Sequence, residues 1–308
     1  MTHSTLLDTE HQNIRIAVDA MGGDFAPTNV VAGALEALRD ADNRFEVVFV
    51  GPEEILRREL PSTPSGDSYR IVHASQSIDM HDGATAALKQ KKDSSIAVGI
   101  SLHHEGKADA FVSAGNTGAV MSASTLILGR IEGVSRPTIG AFFPTEEGAC
   151  LIVDAGANVD CRPRQLFEFA MMGSIYMQEM SGIERPTVGL LNIGEEDSKG
   201  NEAAKEAYAL LQTSRLNFVG NIEGRDILQG KAQVVVCDGF VGNILLKFGE
   251  SVPAFLKSRL KEHAGGGMLT KLAALMMRKT LRSALKSLDC HLHCREARYL
   301  QYMLHFFQ

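Results

Sequence analysis

Five short segments of the chain place glycine beside polar or charged side chains directly after an apolar run. They read DAMGGDFAPT after Val18, SAGNTGAV after Val112, DAGANVDCRP after Val153, NIGEEDSKGNE after Leu191 and DGFVGN after Cys237. Glycine lets a backbone approach a ligand closely, and free N–H groups at a helix start attract phosphate or a developing oxyanion. One such loop is ordinarily a tight turn, but five together predict a site for a small anion and an acyl or phosphoryl group.

The polar groups and glycines of these segments are the candidate binding residues. They are Asp19, Gly22, Gly23, Asp24, Ser113, Gly115, Asn116, Thr117, Asp154, Asn158, Asn192, Glu195, Asn201, Asp238 and Gly239. The one lysine among the segments, Lys199, is a candidate catalytic cation, and a solvated loop lysine is the alternative. For Asp154 and Asp238, helix capping or loop orientation is an open alternative to a catalytic role.

The sequence lacks the motifs of several other classes of enzyme and binding protein. Neither GxxxxGK[ST] nor GxGxxG occurs, so a P-loop ATPase and a standard dinucleotide site are not predicted. A GxSxG nucleophile elbow is also absent, and Cys150 and Cys237 lie in apolar runs typical of buried, inert thiols. The scattered aspartates have no metal-ligand spacing, so neither a metal nor another cofactor is expected. The net charge of −6 argues against a nucleic-acid partner.

The elements that must position these loops follow an alternating pattern of strands and helices. The strand candidates are IRIAVD, FEVVFVG, YRIVHA, ADAFVSAG, TIGAFFP, ACLIVDAG, PTVGLLNIG, LNFVG and AQVVVCDG. The stretch from Thr28 has helical spacing after Pro27, a typical helix start. This pattern predicts a doubly wound α/β fold with a mainly parallel sheet, because irregular strand spacing disfavours a TIM barrel. Ligands of such folds bind beyond the carboxyl ends of the strands, where the five loops would meet.

The sequence predicts one α/β domain over residues 14–289, after a disordered lead-in at residues 1–13. The lead-in is polar and lacks the basic start and apolar stretch of a signal peptide. The odd number of cysteines, five, is typical of reduced thiols in the cytoplasm.

Five strings, in order and spacing, resemble the bacterial phosphate acyltransferase family. They are IRIAVDAMGGDFAP, SAGNTGA, LLNIGEEDSKGNE, FVGNIEGRDI and VCDGFVGNILLK. The resemblance implies a Rossmann-like α/β/α sandwich related to phosphotransacetylase and isopropylmalate dehydrogenase. It also implies transfer of a fatty acyl group from acyl–acyl carrier protein to inorganic phosphate, giving acyl phosphate for phosphatidic acid and phospholipid synthesis.

The resemblance implies roles for particular residues and partners. Lys199 and Asn243 would be catalytic, although Asn243 could instead satisfy local backbone groups. The loop from Asp19 to Asp24 would close over the phosphate and acyl-phosphate site. A cytoplasmic homodimer, associated peripherally with the membrane and with the downstream glycerol-3-phosphate acyltransferase, is also implied.

Residues 264–288 form a basic segment with apolar residues at helical spacing. Its positive charges come from Lys271, Arg278, Lys279, Arg282 and Lys286, with no acidic residue among them. Such a pattern is typical of a surface that contacts a bilayer or an acidic partner. The alternative is a pair of helices packed on the protein body or on a dimer partner. The resemblance implies both a membrane and a strongly acidic acyl carrier protein as candidates.

The resemblance ends near Asp289, where the chain continues as the atypical tail of residues 290–308. A frameshift or an incorrect gene end is our hypothesis for this change, and resequencing the locus tests it. Cys290, His291, His293 and Cys294 are too crowded for usual zinc-finger spacing. An inactive relative that retains only dimer or membrane contacts is an alternative, as is a dehydrogenase on a related fold.

Overall fold

The computed structural model describes residues 14–60, 68–146 and 148–264. These residues form two compact units, which comprise residues 14–131 and residues 132–264. The predicted lead-in, residues 265–288 of the basic segment and the tail at 290–308 lie outside the described residues.

The first unit contains a four-stranded parallel sheet in the order β3-β2-β1-β4. Its strands are β1 (Ile14–Asp19), β2 (Phe45–Gly51), β3 (Tyr69–His73) and β4 (Ala110–Val112). Its helices are α1 (Thr28–Asp40), α2 (Glu53–Glu59), α3 (Ala84–Gln90), α4 (Ser95–His104) and α5 (Thr117–Ile127).

Helix α1 shows how the sequence pattern builds the core of the first unit. Val31, Leu35 and Leu38 recur at helical spacing and are buried on one face of the helix. They pack in one cluster with Phe49 of β2 and Leu56 of α2. The predicted helix from Thr28 is confirmed.

The second unit contains a five-stranded sheet in the order β5-β6-β9-β7-β8. Its strands are β5 (Gly140–Thr145), β6 (Gly148–Val153), β7 (Thr187–Leu191), β8 (Asn217–Ile222) and β9 (Val234–Val236). Its helices are α6 (Pro163–Ser181), α7 (Glu202–Gln212), α8 (Gly224–Gln229) and α9 (Gly239–Ala264). Only the β5–β6 pair among these described strands is antiparallel.

Helices cover both faces of the second sheet. Val234 and Val236 of β9 pack in one cluster with Phe169 of α6. Val235, between them in sequence, packs on the opposite face with Ile227 of α8. Since successive strand residues point to opposite faces, this arrangement makes an α/β/α sandwich. It explains why the strands are apolar throughout instead of alternating with polar residues.

The predicted mainly parallel α/β fold is confirmed, and each of the nine predicted strands lies where the sequence indicated. The described residues divide into two compact units, and the single domain over residues 14–289 stays a prediction. Within the described part of the chain, no helix is both long enough and apolar enough to span a membrane.

Candidate active site

In the first unit, the loops after β1 and β4 are joined through Asp19. This residue ends β1 and is 1% exposed. The Ser113 hydroxyl donates to Asp19 Oδ2 at 2.6 Å, and the Gly115 N–H donates to Ser113 Oγ at 3.0 Å. The Met21 N–H donates to Asp19 Oδ1 at 3.1 Å. The structure therefore brings Asp19, Ser113 and Gly115 together.

Gly22 packs closely against Asp19 and Gly115 of this cluster. A Cβ atom at Gly22 would lie 2.5 Å from Asp19 Oδ2 and 2.7 Å from the Gly115 nitrogen. The paired glycines therefore allow the backbone of the β1 loop to lie close to the loop after β4. Gly23 has φ +98°, while Asp24 is exposed to solvent.

Asn116 caps α5 and connects it to a neighbouring loop. Its Oδ1 accepts from the Ala119 N–H at 3.0 Å. Its Nδ2 donates to carbonyl oxygens of Asp79, Met80 and Asp82 at 3.2, 3.3 and 3.1 Å. Because both ends of its amide are engaged, Asn116 positions the helix start, and its contact with phosphate stays a prediction. Thr117 follows it as an exposed residue of the first helical turn.

In the second unit, Asp154 organises the loop after β6. It is 0% exposed. Oδ1 accepts from the N–H groups of Ile139, Gly156 and Ala157 at 3.4, 3.0 and 2.8 Å. Oδ2 accepts from the backbone N–H and Nδ2 of Asn158 at 2.8 and 2.7 Å. This carboxylate therefore orients the loop, which was one of its two predicted roles, and its contact with phosphate stays a prediction.

Asn158 connects the β6 loop to the start of α9. Its carbonyl oxygen accepts from the Gly239 N–H at 2.8 Å. Asp238 lies just before the helix, and its Oδ1 accepts from the Val241 N–H at 2.8 Å, so it caps α9. These contacts bring three predicted site residues together: Asn158, Asp238 and Gly239.

The first turns of α9 lie directly on the β6 loop. A Cβ atom at Gly242 would lie 1.8 Å from the Asp154 carbonyl oxygen, so a side chain there requires the helix to move. The next residue, Asn243, is exposed, and its Cβ lies 3.3 Å from the position that a Cβ at Gly156 would occupy. The candidate catalytic amide is therefore carried by the part of α9 that this contact holds in place.

The loop after β7 carries Lys199, and the Asn192 side chain at its start bonds to the Lys199 backbone. Asn192 Oδ1 accepts from the Ile193 N–H at 2.8 Å, and Nδ2 donates to the Lys199 carbonyl oxygen at 3.1 Å. Among the residues that the structure describes, the exposed Lys199 ammonium forms no ion pair. The charge of Lys199 is thus available to an anion.

Two other predicted residues support this loop. Glu195 pairs with Lys231, with 2.6 Å between Oε1 and Nζ. Asn201 caps α7, because its Oδ1 accepts from the Ala204 N–H at 2.8 Å. The buried Asn221, which the sequence did not single out, donates from Nδ2 to the Glu196 carbonyl oxygen at 2.8 Å. Its signal was a polar residue inside a strand, NFVGNI, where a buried amide needs a partner.

Cysteines near these loops are poorly suited to nucleophilic chemistry. The predicted burial of Cys150 and Cys237 is confirmed, and burial raises the pKa of the Cys237 thiol. Burial also raises the pKa of Cys161 to about 11. The thiols of Cys161 and Cys237 therefore stay protonated near neutral pH. In the described ranges, no three His, Cys, Asp or Glu side chains are grouped as metal ligands would be.

Residues 135–139, here called the edge strap, also reach this edge of the second sheet. They precede β5, which runs antiparallel to β6 and pairs Gly140 with Val153. The start of β5 therefore lies beside the carboxyl end of β6. The strap is absent from the residues predicted from the sequence, because those residues all lie in segments that follow strands. The short interval between the β5 and β6 strand candidates was the available signal, because it allows a tight antiparallel connection.

Two solved structures share the fold. The EutD phosphotransacetylase from Staphylococcus aureus aligns with a TM-score of 0.56 and 19% identity, covering 79% of this chain and 83% of that one. A phosphotransacetylase from Streptococcus pyogenes gives the same TM-score and identity, with 78% and 82% covered. The implied relation to the phosphotransacetylase fold is confirmed, whereas the relation to isopropylmalate dehydrogenase stays a prediction.

Comparison of sequences gives a closer relationship. A family model described as fatty acid synthesis protein matches residues 14–297. A phosphate acyltransferase from Acetivibrio thermocellus is 51% identical over 276 residues, covering 89% of this chain and 81% of the relative. Another from Chlorobaculum parvum is 48% identical over 286 residues, covering 90% and 84%. The chain therefore belongs to the phosphate acyltransferase family.

Proposed function

We propose that the protein transfers a fatty acyl group from acyl–acyl carrier protein to inorganic phosphate and releases acyl phosphate for phospholipid synthesis. The observation that carries this proposal is the family match over residues 14–297, which includes every predicted site residue. The geometry supports it, because the loops after β6, β7 and β9 follow parallel strands and end at one edge of the second sheet.

The proposed reaction needs no protein nucleophile. An oxygen of hydrogen phosphate attacks the thioester carbonyl carbon, forming a C–O bond and a tetrahedral oxyanion. The C–S bond then breaks, and the carrier thiolate takes the proton that hydrogen phosphate gives up. The protein must position two reactants and stabilise negative charge. The high pKa of Cys161 agrees with a mechanism that uses no cysteine nucleophile.

Lys199 and Asn243 have the chemistry for these tasks. The Lys199 ammonium forms no ion pair with the described residues, so it can neutralise phosphate or the oxyanion. The Asn243 side chain is an exposed amide whose N–H groups can donate to a developing oxyanion. The helix start beneath Asn243 adds a partial positive charge.

The remaining predicted residues of the second unit act by holding these two groups. Asp154 and Asn158 keep the β6 loop against the start of α9, and Asn192 closes the loop that carries Lys199. Asp19, Ser113 and Gly115 shape the corresponding loops of the first unit. In this proposal these contacts hold the loops of each unit in place.

A phosphate-dependent thioester cleavage assay tests the proposal. Purified protein is incubated with palmitoyl–acyl carrier protein and phosphate, and acyl phosphate is trapped with hydroxylamine. We expect Lys199→Ala to lower kcat/KM by about 10²–10³, the usual cost of losing an oxyanion-stabilising group. Arg215→Ala is the matched control, because this exposed cation precedes β8 at the opposite edge of the sheet.

Each outcome of this assay has a definite meaning. Trapped product that needs both phosphate and Lys199 supports the proposal. Thioester cleavage that proceeds equally without phosphate contradicts it. A folded chain that forms no product would favour the inactive-relative interpretation.

We also propose a cytoplasmic homodimer that associates peripherally with the membrane and with the downstream glycerol-3-phosphate acyltransferase. The support for membrane contact is the sequence of the basic segment, 264–288, with five cations and no acid among residues 268–288. Sedimentation with anionic vesicles tests the membrane contact, and a double Arg278→Glu, Lys279→Glu variant should bind less. Equal binding by the variant would contradict lipid contact and leave two alternatives for this surface, contact with acyl carrier protein and packing on the protein body or a dimer partner.

A further inference from the structure

The edge strap is fixed to the second unit at three points. The Ser135 N–H and hydroxyl donate to Glu168 Oε2 at 2.9 and 2.5 Å. The Pro137 carbonyl oxygen accepts from Asn158 Nδ2 at 2.8 Å. Ile139 donates to Asp154 Oδ1 at 3.4 Å and accepts from the Ala155 N–H at 2.8 Å. Two of the three anchors, Asp154 and Asn158, are buried residues of the candidate active-site loop.

Arg136 lies between the first two anchors, so its backbone position is set by contacts on both sides. Its side chain is exposed and forms no hydrogen bond or ion pair with the described residues. Arg164 of the same unit differs in this respect, since it pairs with Glu168. The strap thus presents a free guanidinium at the edge that carries the loops after β6 and β9.

The electrostatic surroundings of Cys161 place the Arg136 charge close to these loops. Burial raises the pKa of Cys161, and the charges of Asp154 and Asp238 raise it further. The Arg136 charge acts on the same thiol in the opposite direction. Arg136 and the two aspartates of the candidate site therefore lie within electrostatic range of one sulfur atom.

We propose that Arg136 is a further phosphate-binding residue, whose guanidinium holds the attacking phosphate beside the β6 loop. The planar guanidinium fork matches two phosphate oxygens and donates two parallel hydrogen bonds to them. The positive charge also offsets the repulsion that Asp154 and Asp238 exert on a dianion. This inference rests on the proposed function, because it assigns the residue to the phosphate of that reaction.

Steady-state kinetics and phosphate binding of matched variants test the role of Arg136. We expect Arg136→Gln to raise the KM for phosphate by about 10- to 100-fold, from loss of charged hydrogen bonds. The KM for acyl–acyl carrier protein should change much less. Arg136→Lys should recover only part of the loss, because an ammonium cannot bind bidentately. Arg185→Gln is the control, as it removes an exposed arginine before β7, at the opposite edge of the sheet.

A second readout separates this inference from the proposed function. Inorganic phosphate should raise the thermal unfolding midpoint of wild type and Arg185→Gln, and much less that of Arg136→Gln. Equal stabilisation of all three proteins, or an unchanged KM for phosphate, would overturn the role of Arg136. Absence of product from wild type would overturn the proposed function and still leave the binding comparison decisive for Arg136. If Arg136→Gln does not fold, Arg136→Lys still tests the role, because phosphate should stabilise it less than wild type.

Discussion

Asp19 and Asp154 are buried carboxylates whose hydrogen-bond donors are uncharged N–H and O–H groups. Asp19 accepts from Ser113 and Met21, and Asp154 accepts from five N–H groups of its surroundings. Neither forms an ion pair within the described residues. Such carboxylates fix the path of a loop without using a cation of the protein as their partner.

Gly22 provides a test of the close packing in the first unit. Gly22→Ala would force its new Cβ against Asp19 Oδ2 and the Gly115 nitrogen, at 2.5 and 2.7 Å. We expect this overpacking to lower the free energy of unfolding by about 1–3 kcal/mol. Urea denaturation measures the change.

Gly33→Ala is the matched control for this substitution. A Cβ at Gly33 in α1 meets nothing within 4 Å, and alanine favours a helix interior by about 1 kcal/mol. The control should therefore be neutral or stabilising. Equal loss of stability in both variants would contradict the steric explanation.

At the scale of elements, Glu168 of α6 ties the edge strap to the second unit in a pH-dependent way. Burial would raise the pKa of Glu168, but hydrogen bonds from Ser135 and Arg164 outweigh that effect and lower the pKa below its ordinary value of 4.5. A carboxyl whose pKa is lower in the folded state stabilises the fold above its unfolded pKa. That stabilisation is lost as the pH falls through the folded value.

Glu168→Gln should therefore be less stable than wild type near neutral pH, with a difference that shrinks below pH 4.5. Thermal unfolding across this pH range measures the difference. Glu179→Gln, an exposed change on the same helix, is the matched control. A difference in stability between wild type and Glu168→Gln that stays constant with pH would contradict the lowered pKa of Glu168.

The strands and the first helix could be predicted because their signals are local. The apolar run from Phe45 to Gly51 and the spacing of Val31, Leu35 and Leu38 depend only on nearby residues. The edge strap could not be placed, because its position depends on the antiparallel pairing of β5 with β6. The functions of Asn192 and Asn116 as loop clamps also depend on contacts that spacing alone does not reveal.

At the scale of the whole molecule, each of the two compact units has its own sheet and buried core. Each unit also carries predicted site residues at the carboxyl ends of its strands. The sequence predicts these loops, and the single domain over residues 14–289 stays a prediction. Apolar runs identify strands, but they do not tell which sheet a strand joins, because pairing partners can be distant in sequence.

The proposed homodimer is a prediction at this scale. Light scattering coupled to size-exclusion chromatography should give twice the 33.3 kDa mass of one chain. The mass should persist on dilution if the dimer is obligate, because such interfaces are large and apolar. A mass of one chain at all concentrations would contradict the dimer and leave the acyltransferase assay unaffected.

The contact at Gly242 also limits how this site can evolve. A Cβ there would lie 1.8 Å from the Asp154 carbonyl oxygen, and no amino acid is smaller than glycine. Selection therefore cannot bring the start of α9 any nearer to the β6 loop by trimming a side chain. The exposed neighbours Phe240, Ile244 and Phe248 have no such restriction, with 58%, 53% and 68% of their surface open to solvent. On this helix, position 242 therefore excludes any side chain, whereas the exposed face can accept substitutions.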